Sequence, residues 1–362
     1  MNIKAYVAEN ETVTLKDVQL KELAADEVLI KVVGTGLCHT DLNVLHQITP
    51  TPTPIVLGHE GAGIVEKVGS AVTEFAVGDH VVVSFNYCGT CANCLQGVPS
   101  ACENFFQYNF GVSMGATDSK IVDGDQKVAN LFGQSSLATY CIANVRNTVK
   151  IEDKDIDLSL LGPLACGIQT GAGTVLNKLK PGTNEALVIF GCGSVGLSAV
   201  MGAKLANCQT IIAVDIHDER LEFAKELGAT HVINGRDTDV VKEIQEITNG
   251  GAHYAIESSG VADVVLQAIR SVRALGTIAV VGASGNLEFH IHDELIPMNK
   301  TLVGVVEGQS VPKLFIPELI QYYKEGKFPF DKLIKKYEMD ELDKAIHDME
   351  TGKTIKPVIL FE

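Results

Sequence analysis

Gly191, Gly193 and Gly196 follow an unbroken apolar run, residues 186–190, and lead into a segment, 195–206, whose pattern predicts a helix. A strand that passes through bare glycine backbone into a helix leaves amide groups, and the positive end of the helix dipole, open to a pyrophosphate. Such a glycine triplet is weak by itself. Here an acidic residue closes the next predicted strand, 210–214: Asp215, nineteen positions after Gly196. Its carboxylate can accept hydrogen bonds from adenosine ribose hydroxyls, and its charge repels a 2′-phosphate. The segment therefore predicts NAD rather than NADP, bound at Gly191, Gly193, Gly196 and Asp215, with Ser194 beside the glycines. Arg220, near the start of the following helix, either reaches the same ribose or stays solvated.

Around this turn, residues 153–285 alternate short apolar runs with longer amphipathic segments, which predicts successive β-α units and a doubly wound parallel sheet. A second helix is predicted over 219–227, stopped by Gly228, with further strands over 231–233, 254–257 and 277–281. Residues 1–152 have a different texture, with glycine-punctuated β segments at 27–33, 63–68 and 80–84, so a compact β-rich domain is expected there. The apolar closing segment 357–361 needs a sheet to join, which puts residues 286–362 back with the first domain. A chain of 362 residues is long for one core, and this α/β division, 1–152, 153–285 and 286–362, supplies two.

Four of the nine cysteines, Cys88, Cys91, Cys94 and Cys102, fall within fifteen residues. Thiolates from one short loop can close a tetrahedron around a structural zinc, here in a lobe at about 86–104. Two disulfides are the competing reading, but nothing else points to an oxidising compartment. The first residues lack the basic, apolar character of a signal segment, and no run reaches the roughly 18 apolar residues of a membrane span. A cytoplasmic location is expected. The net charge of −16 argues against nucleic acid or an anionic membrane surface as partner. Cys141, Cys192 and Cys208 read as small buried hydrophobes.

Cys38 lies in Gly36-Leu37-Cys38-His39-Thr40-Asp41, His59 in Gly58-His59-Glu60-Gly61-Ala62-Gly63, and Cys166 in Pro163-Leu164-Ala165-Cys166-Gly167-Ile168-Gln169-Thr170-Gly171. Each alone is more often a buried core residue. In this order, with the four-cysteine lobe and the glycine turn, they resemble the zinc-dependent medium-chain alcohol dehydrogenases over nearly the whole chain. The likeness is greatest to the branch of aryl-alcohol and geraniol-type dehydrogenases. It implies a GroES-like β-rich catalytic domain joined to a Rossmann cofactor domain, and the reversible NAD-dependent oxidation of a primary alcohol, benzylic or allylic, to its aldehyde. A short aliphatic, secondary or thiol-adduct alcohol on the same scaffold is the nearest alternative, since pocket shape decides between them. A non-catalytic dinucleotide-binding protein is the other, although it would have no use for an open zinc.

The resemblance also implies roles for single residues. Cys38, His59 and Cys166 match ligands of a catalytic zinc with one position open, a set that is the family's own and is carried over residue by residue. Zinc so held lowers the pKa of a hydroxyl, which an alcohol needs in order to lose its proton near neutral pH. Glu60 matches a carboxylate that can exchange at this metal, or else sits in a buried ion pair. Asp41 matches the acceptor that fixes the tautomer of the zinc-binding imidazole, and Thr40 the hydroxyl that takes the alcohol's proton. Where the family carries a histidine three residues further on, this chain has Asn43, which is no base, so the outer proton path is open, with His39 and His46 nearby. His39 and Lys356 match pyrophosphate contacts, and Thr170 and Val195 match positions that press on the nicotinamide ring. A homo-oligomer is implied too, a tetramer before a dimer, with 301–306 as a candidate edge strand for pairing between copies.

Overall fold

The computed structural model describes residues 1–110, 119–236, 238–283 and 285–361. The chain divides into two compact units: Met1–Cys166 with Val311–Glu318 and Asp331–Glu362, and Gly167–Ser310 with Leu319–Phe330.

In the first unit, strand Glu27–Gly36 alternates half-buried and buried residues along its first half and more, the period-two pattern of a sheet with one face on a core. It lies inside a seven-stranded sheet ordered Thr148–Ile151, His80–Val83, Gly61–Val68, Glu27–Gly36, Lys356–Leu360 and Ile334–Tyr337, with Tyr140–Asn144 also pairing on Glu27–Gly36. The closing strand joins antiparallel, Val358 opposite Gly36. Strands Asn2–Glu9, Thr12–Leu20, Ile121–Asp123, Gln126–Asn130 and Ile55–Val56 form a closed barrel in the same unit.

The second unit is built on six parallel strands in the order His231–Asn234, Thr210–Asp215, Ala186–Phe190, Ala252–Glu257, Val272–Val280 and Thr301–Gly304. Numbered along the chain this is 3-2-1-4-5-6, the order of a doubly wound nucleotide-binding sheet. All five residues of Ala186–Phe190 are buried, as expected of a strand covered on both faces, and each large apolar side chain so buried contributes roughly 1.5–3 kcal/mol. Helix Asp218–Leu227 ends at Gly228 with φ 131°, a conformation free of strain only for glycine.

Two boundaries differ from expectation. The chain does not leave the nucleotide sheet after Gly285: Thr301–Gly304 pairs in parallel with Val272–Val280 as the sixth strand, and the first unit resumes only at Val311. A short, apolar strand carries no mark of which sheet it joins. Near the other boundary, residues 153–166 stay with the first unit, because short turns there bury Leu158, Leu161 and Leu164. Among the described residues no helix is long and apolar enough to cross a membrane.

Candidate metal and cofactor sites

Cys38 precedes helix His39–Leu45 in an extended conformation, and Asp41, three residues on, reaches back to accept the Cys38 N–H at 3.1 Å. The same buried carboxylate accepts the Gly58 N–H at 2.8 Å and faces His59 Nδ1 at 3.1 Å. With Nδ1 so engaged, His59 Nε2 is fully buried and has no hydrogen-bond partner. Sγ of Cys38, Sγ of Cys166, a His59 ring nitrogen and a Glu60 oxygen all lie within 4.8 Å of one another. A buried orphan nitrogen among two thiols is the donor chemistry of a zinc site.

The electrostatics agree. A hydrogen bond with Cys166, working against burial and helped by Lys356 and His59, holds the Cys38 thiol well below its ordinary range. Burial opposes a charge on His59, but Asp41 and Cys38 outweigh it and hold the ring well above its usual value. Cys38 is thus held as the thiolate that binds metal, and a cation arriving at His59 would displace the ring's Nε2 proton.

Glu60 is held by Lys356, whose Nζ donates to its two oxygens at 2.9 and 3.0 Å and to the Leu37 carbonyl at 3.2 Å. Room for the carboxylate comes from glycine: a Cβ at Gly36 would lie 1.9 Å from Glu60 Oε2. Lys356, expected at the pyrophosphate, is engaged in this structure by Glu60 and the Leu37 carbonyl. An ammonium has three N–H donors; all three are used within the protein, and the residue is 2% exposed. Burial works against its charge, but Glu60 outweighs that and raises its pKa. The only trace in the sequence was a lysine opening an otherwise apolar strand.

The four-cysteine lobe folds around a short helix, Ala92–Leu95, and a turn, Pro99–Ala101. Its four sulfurs lie within 4.8 Å of one another, and none of the nine cysteines is in a disulfide. Backbone N–H groups of Thr90 and Cys91 point at Cys88 Sγ at 3.4 and 3.3 Å. The Thr90 N–H leads in drawing the Cys88 thiol down to about 5, the thiolate form that binds metal. By contrast, burial raises the pKa of Cys141, Cys192 and Cys208, which pack as hydrophobes.

In the second unit Gly191 turns with φ 90°, and Gly193 opens onto space that no protein atom fills. Helix Ser194–Leu205 starts there with no side-chain cap, and Ser194 Oγ is buried without a partner. Open amides and an unpartnered hydroxyl at a helix start fit a pyrophosphate. Gly196 has another duty: a Cβ there would come 1.7 Å from the Gly191 carbonyl oxygen. Gly196→Ala should destabilise this unit by about 2–3 kcal/mol, seen as a lower unfolding midpoint; an unchanged midpoint would show that the turn can relax.

Asp215 ends its strand with Oδ2 accepting the Cys192 N–H at 2.6 Å and Oδ1 accepting those of Ile216 and His217 at 2.8 and 3.0 Å. It therefore also holds the glycine turn, a task sequence reasoning missed, while a carboxylate's four lone-pair sites leave it able to accept more. Arg220 is half-buried, its Nε without a partner. Helix Gly167–Gly173, which carries Thr170, meets helix Ser194–Leu205, which carries Val195, because Gly171 lets the two touch: a Cβ there would be 2.0 Å from the Val195 carbonyl oxygen. His39 is exposed, and Thr40 Oγ1 lies 3.9 Å from Cys38 Sγ.

Comparisons with known proteins agree with this geometry. The family model of the alcohol dehydrogenase GroES-like domain matches residues 24–153, and that of zinc-binding dehydrogenases matches 194–324. Geraniol dehydrogenase of Castellaniella defragrans is 41% identical over 353 residues, 96% of this chain and 94% of that protein. The crystal structure of benzyl alcohol dehydrogenase from Acinetobacter calcoaceticus matches with TM-score 0.94 at 46% identity, covering all of both chains. An alcohol dehydrogenase zinc-binding domain protein from Burkholderia ambifaria matches with TM-score 0.96 at 44% identity, over 100% of this chain and 99% of that one.

Proposed function

Because the chain belongs to the zinc-dependent alcohol dehydrogenases, we propose that it oxidises primary benzylic and allylic alcohols reversibly to aldehydes, with NAD as hydride acceptor and a catalytic zinc on Cys38, His59 and Cys166. The observation that carries the reading is the buried, unpartnered His59 Nε2 facing two thiols. Support for the substrate class comes from the two relatives named for geraniol and for benzyl alcohol.

When bound, zinc supplies a Lewis acid that lowers the pKa of an alcohol, and NAD supplies the hydride acceptor. The chain's residues do the rest. Asp41, by accepting Nδ1–H, commits the His59 lone pair to Nε2 and fixes the ring's direction. Thr40, two residues from Cys38, offers the hydroxyl that takes the alcohol's proton. Lys356 keeps the Glu60 carboxylate beside the ligands. The cysteine lobe holds a structural zinc. Gly191, Gly193, Ser194 and Gly196 receive the pyrophosphate, Asp215 and Arg220 the adenosine ribose, and Thr170 and Val195 the nicotinamide.

The test is the initial rate of NADH formation with benzyl alcohol, geraniol, ethanol, 2-propanol and a hydroxymethyl-thiol adduct, together with zinc per chain. Two zincs and a preference for the conjugated alcohols are expected. Turnover confined to another alcohol removes the substrate class, and no turnover with one zinc removes the reading. For the cofactor, Asp215→Gly should raise the ratio of kcat/KM with NADP to that with NAD by about tenfold or more, since a hydrogen bond to a charged group is worth roughly 1.5–3 kcal/mol. An unmoved ratio would take the ribose from Asp215.

Among the described residues Thr301–Gly304 is the outermost strand of the parallel sheet, paired on one side only. We assign it to pairing in a homo-oligomer, a tetramer being the expected state, which light scattering reads directly. We place the protein in a reducing, cytoplasmic setting, where the cysteines assigned to zinc keep their thiolates.

A further inference from the structure

Three ligands on separate segments must be fixed relative to one another before they can impose a geometry on a metal. Asp41 does this for two of them: one oxygen takes the Cys38 N–H, the other faces His59 Nδ1. We propose that Gln134 and Ser84 form a second bracket, which ties the His59 segment to the Cys166 segment and so sets the position of the third ligand. The inference rests on the reading that Cys38, His59 and Cys166 hold the catalytic zinc.

Gln134 is 1% exposed. The two Nε2 hydrogens are shared among the carbonyls of His59 at 2.9 Å, Val83 at 2.9 Å and Ser84 at 3.1 Å, while its Oε1 accepts the Gly61 N–H at 3.1 Å. One amide thus grips the His59-Glu60-Gly61 backbone at both ends. Reversing the amide would set its oxygen against three carbonyl oxygens and its nitrogen against an N–H, so the orientation follows from the partners. Ser84, also fully buried, donates Oγ to the carbonyl of Ala165 at 2.7 Å. Ala165 precedes Cys166. The path from ligand to ligand therefore runs through His59 O, the Gln134 amide, the Ser84 residue and Ala165 O, with no gap wider than a hydrogen bond.

The backbone that delivers Gln134 is unusual. Phe132, Gly133 and Ser135 have φ of 53°, 62° and 53°, and a bulky residue such as Phe132 in the left-handed region costs roughly 1–3 kcal/mol. Its ring centroid lies 4.7 Å from that of His59, so the strained stretch is wrapped directly on the ligand. A position that only filled the core would do so with an apolar side chain and regular backbone. A satisfied buried amide at such a cost is what orientation of a neighbour requires.

The test uses the full-length protein carrying cobalt at the proposed catalytic site and zinc in the four-cysteine lobe. Ser84→Ala and Gln134→Leu are each compared with the parent for the cobalt ligand-field bands, for the thermal midpoint and, in a second preparation with zinc at both sites, for the rate of zinc loss from this site to a chelator. Both should shift the bands and speed zinc loss by about ten- to a hundredfold, leaving loss from the lobe unchanged. Because the two residues act in series, the double variant should lose zinc little faster than the worse single one. Should Gln134→Leu fail to fold, Ser84→Ala removes a single oxygen and decides the matter alone. Lower midpoints with parent-like bands and parent-like zinc loss would overturn the bracket and leave the zinc reading standing. A cobalt spectrum unaffected by Cys38→Ser would remove that reading, and the bracket with it.

Discussion

Cys38→Ser is expected to leave the chain with one zinc instead of two and to lower kcat/KM at least about a thousandfold, a loss of about 4 kcal/mol of transition-state stabilisation. The substitution swaps one sulfur for oxygen at a centre whose other donors are a thiol and an imidazole nitrogen, and a serine hydroxyl is a poor ligand because it keeps its proton near neutral pH. The fold should survive. Asp41 bonds the backbone N–H of residue 38, not its side chain, so the start of helix His39–Leu45 keeps its cap. The four-cysteine lobe uses none of the same residues and should stay loaded. Metal content, kinetics and a thermal midpoint on one preparation check all three points, and two retained zincs with unchanged turnover would place the metal centre elsewhere.

Lys356→Met should destabilise the protein by about 3–5 kcal/mol, because it breaks a buried ion pair and strands its partner. Glu60 is fully buried, and burial is the main cause raising its pKa even with the lysine present. Without the ammonium the carboxylate must either hold its charge in a dry site or take up a proton. Methionine fills similar volume, so little of the loss should come from a cavity. The double variant Lys356→Met/Glu60→Gln, which removes both charges, should recover most of it. Urea unfolding of the parent and three variants gives the cycle; a single variant within about 1 kcal/mol of the parent would mean that the pair is dispensable.

Both predictions turn on one small region, and it was legible to very different degrees. The cluster of Cys38, His59 and Cys166, proposed here as the ligands, was visible because metal chemistry admits few residue types, and because the three sit in motifs shared with a family. The glycine turn and Asp215 were visible because a helix that starts at a pyrophosphate needs bare backbone at set intervals. That Glu60 is the partner of Lys356 was not legible, for the opposite reason. A lysine can serve a phosphate or a carboxylate equally well, and which one it meets depends on strand Lys356–Leu360 lying beside Glu27–Gly36, where Val358 faces Gly36, 358 − 36 = 322 positions away along the chain.

Gln134 and Ser84 gave no signal at all. Their side chains bond backbone carbonyls, and a carbonyl is the same at every residue, so no pattern of residue types announces such a partner. The strand Thr301–Gly304 was recognised as an edge strand yet placed with the wrong unit, since its four residues fit either sheet. Local chemistry and period, which act between near neighbours in the chain, were enough to specify the β-α alternation, the zinc-type cysteine spacing and the nucleotide turn. The partners of the buried charges, the sheet that received each short strand and the bracing behind the ligands came from contacts between distant segments, where packing and not residue type makes the choice.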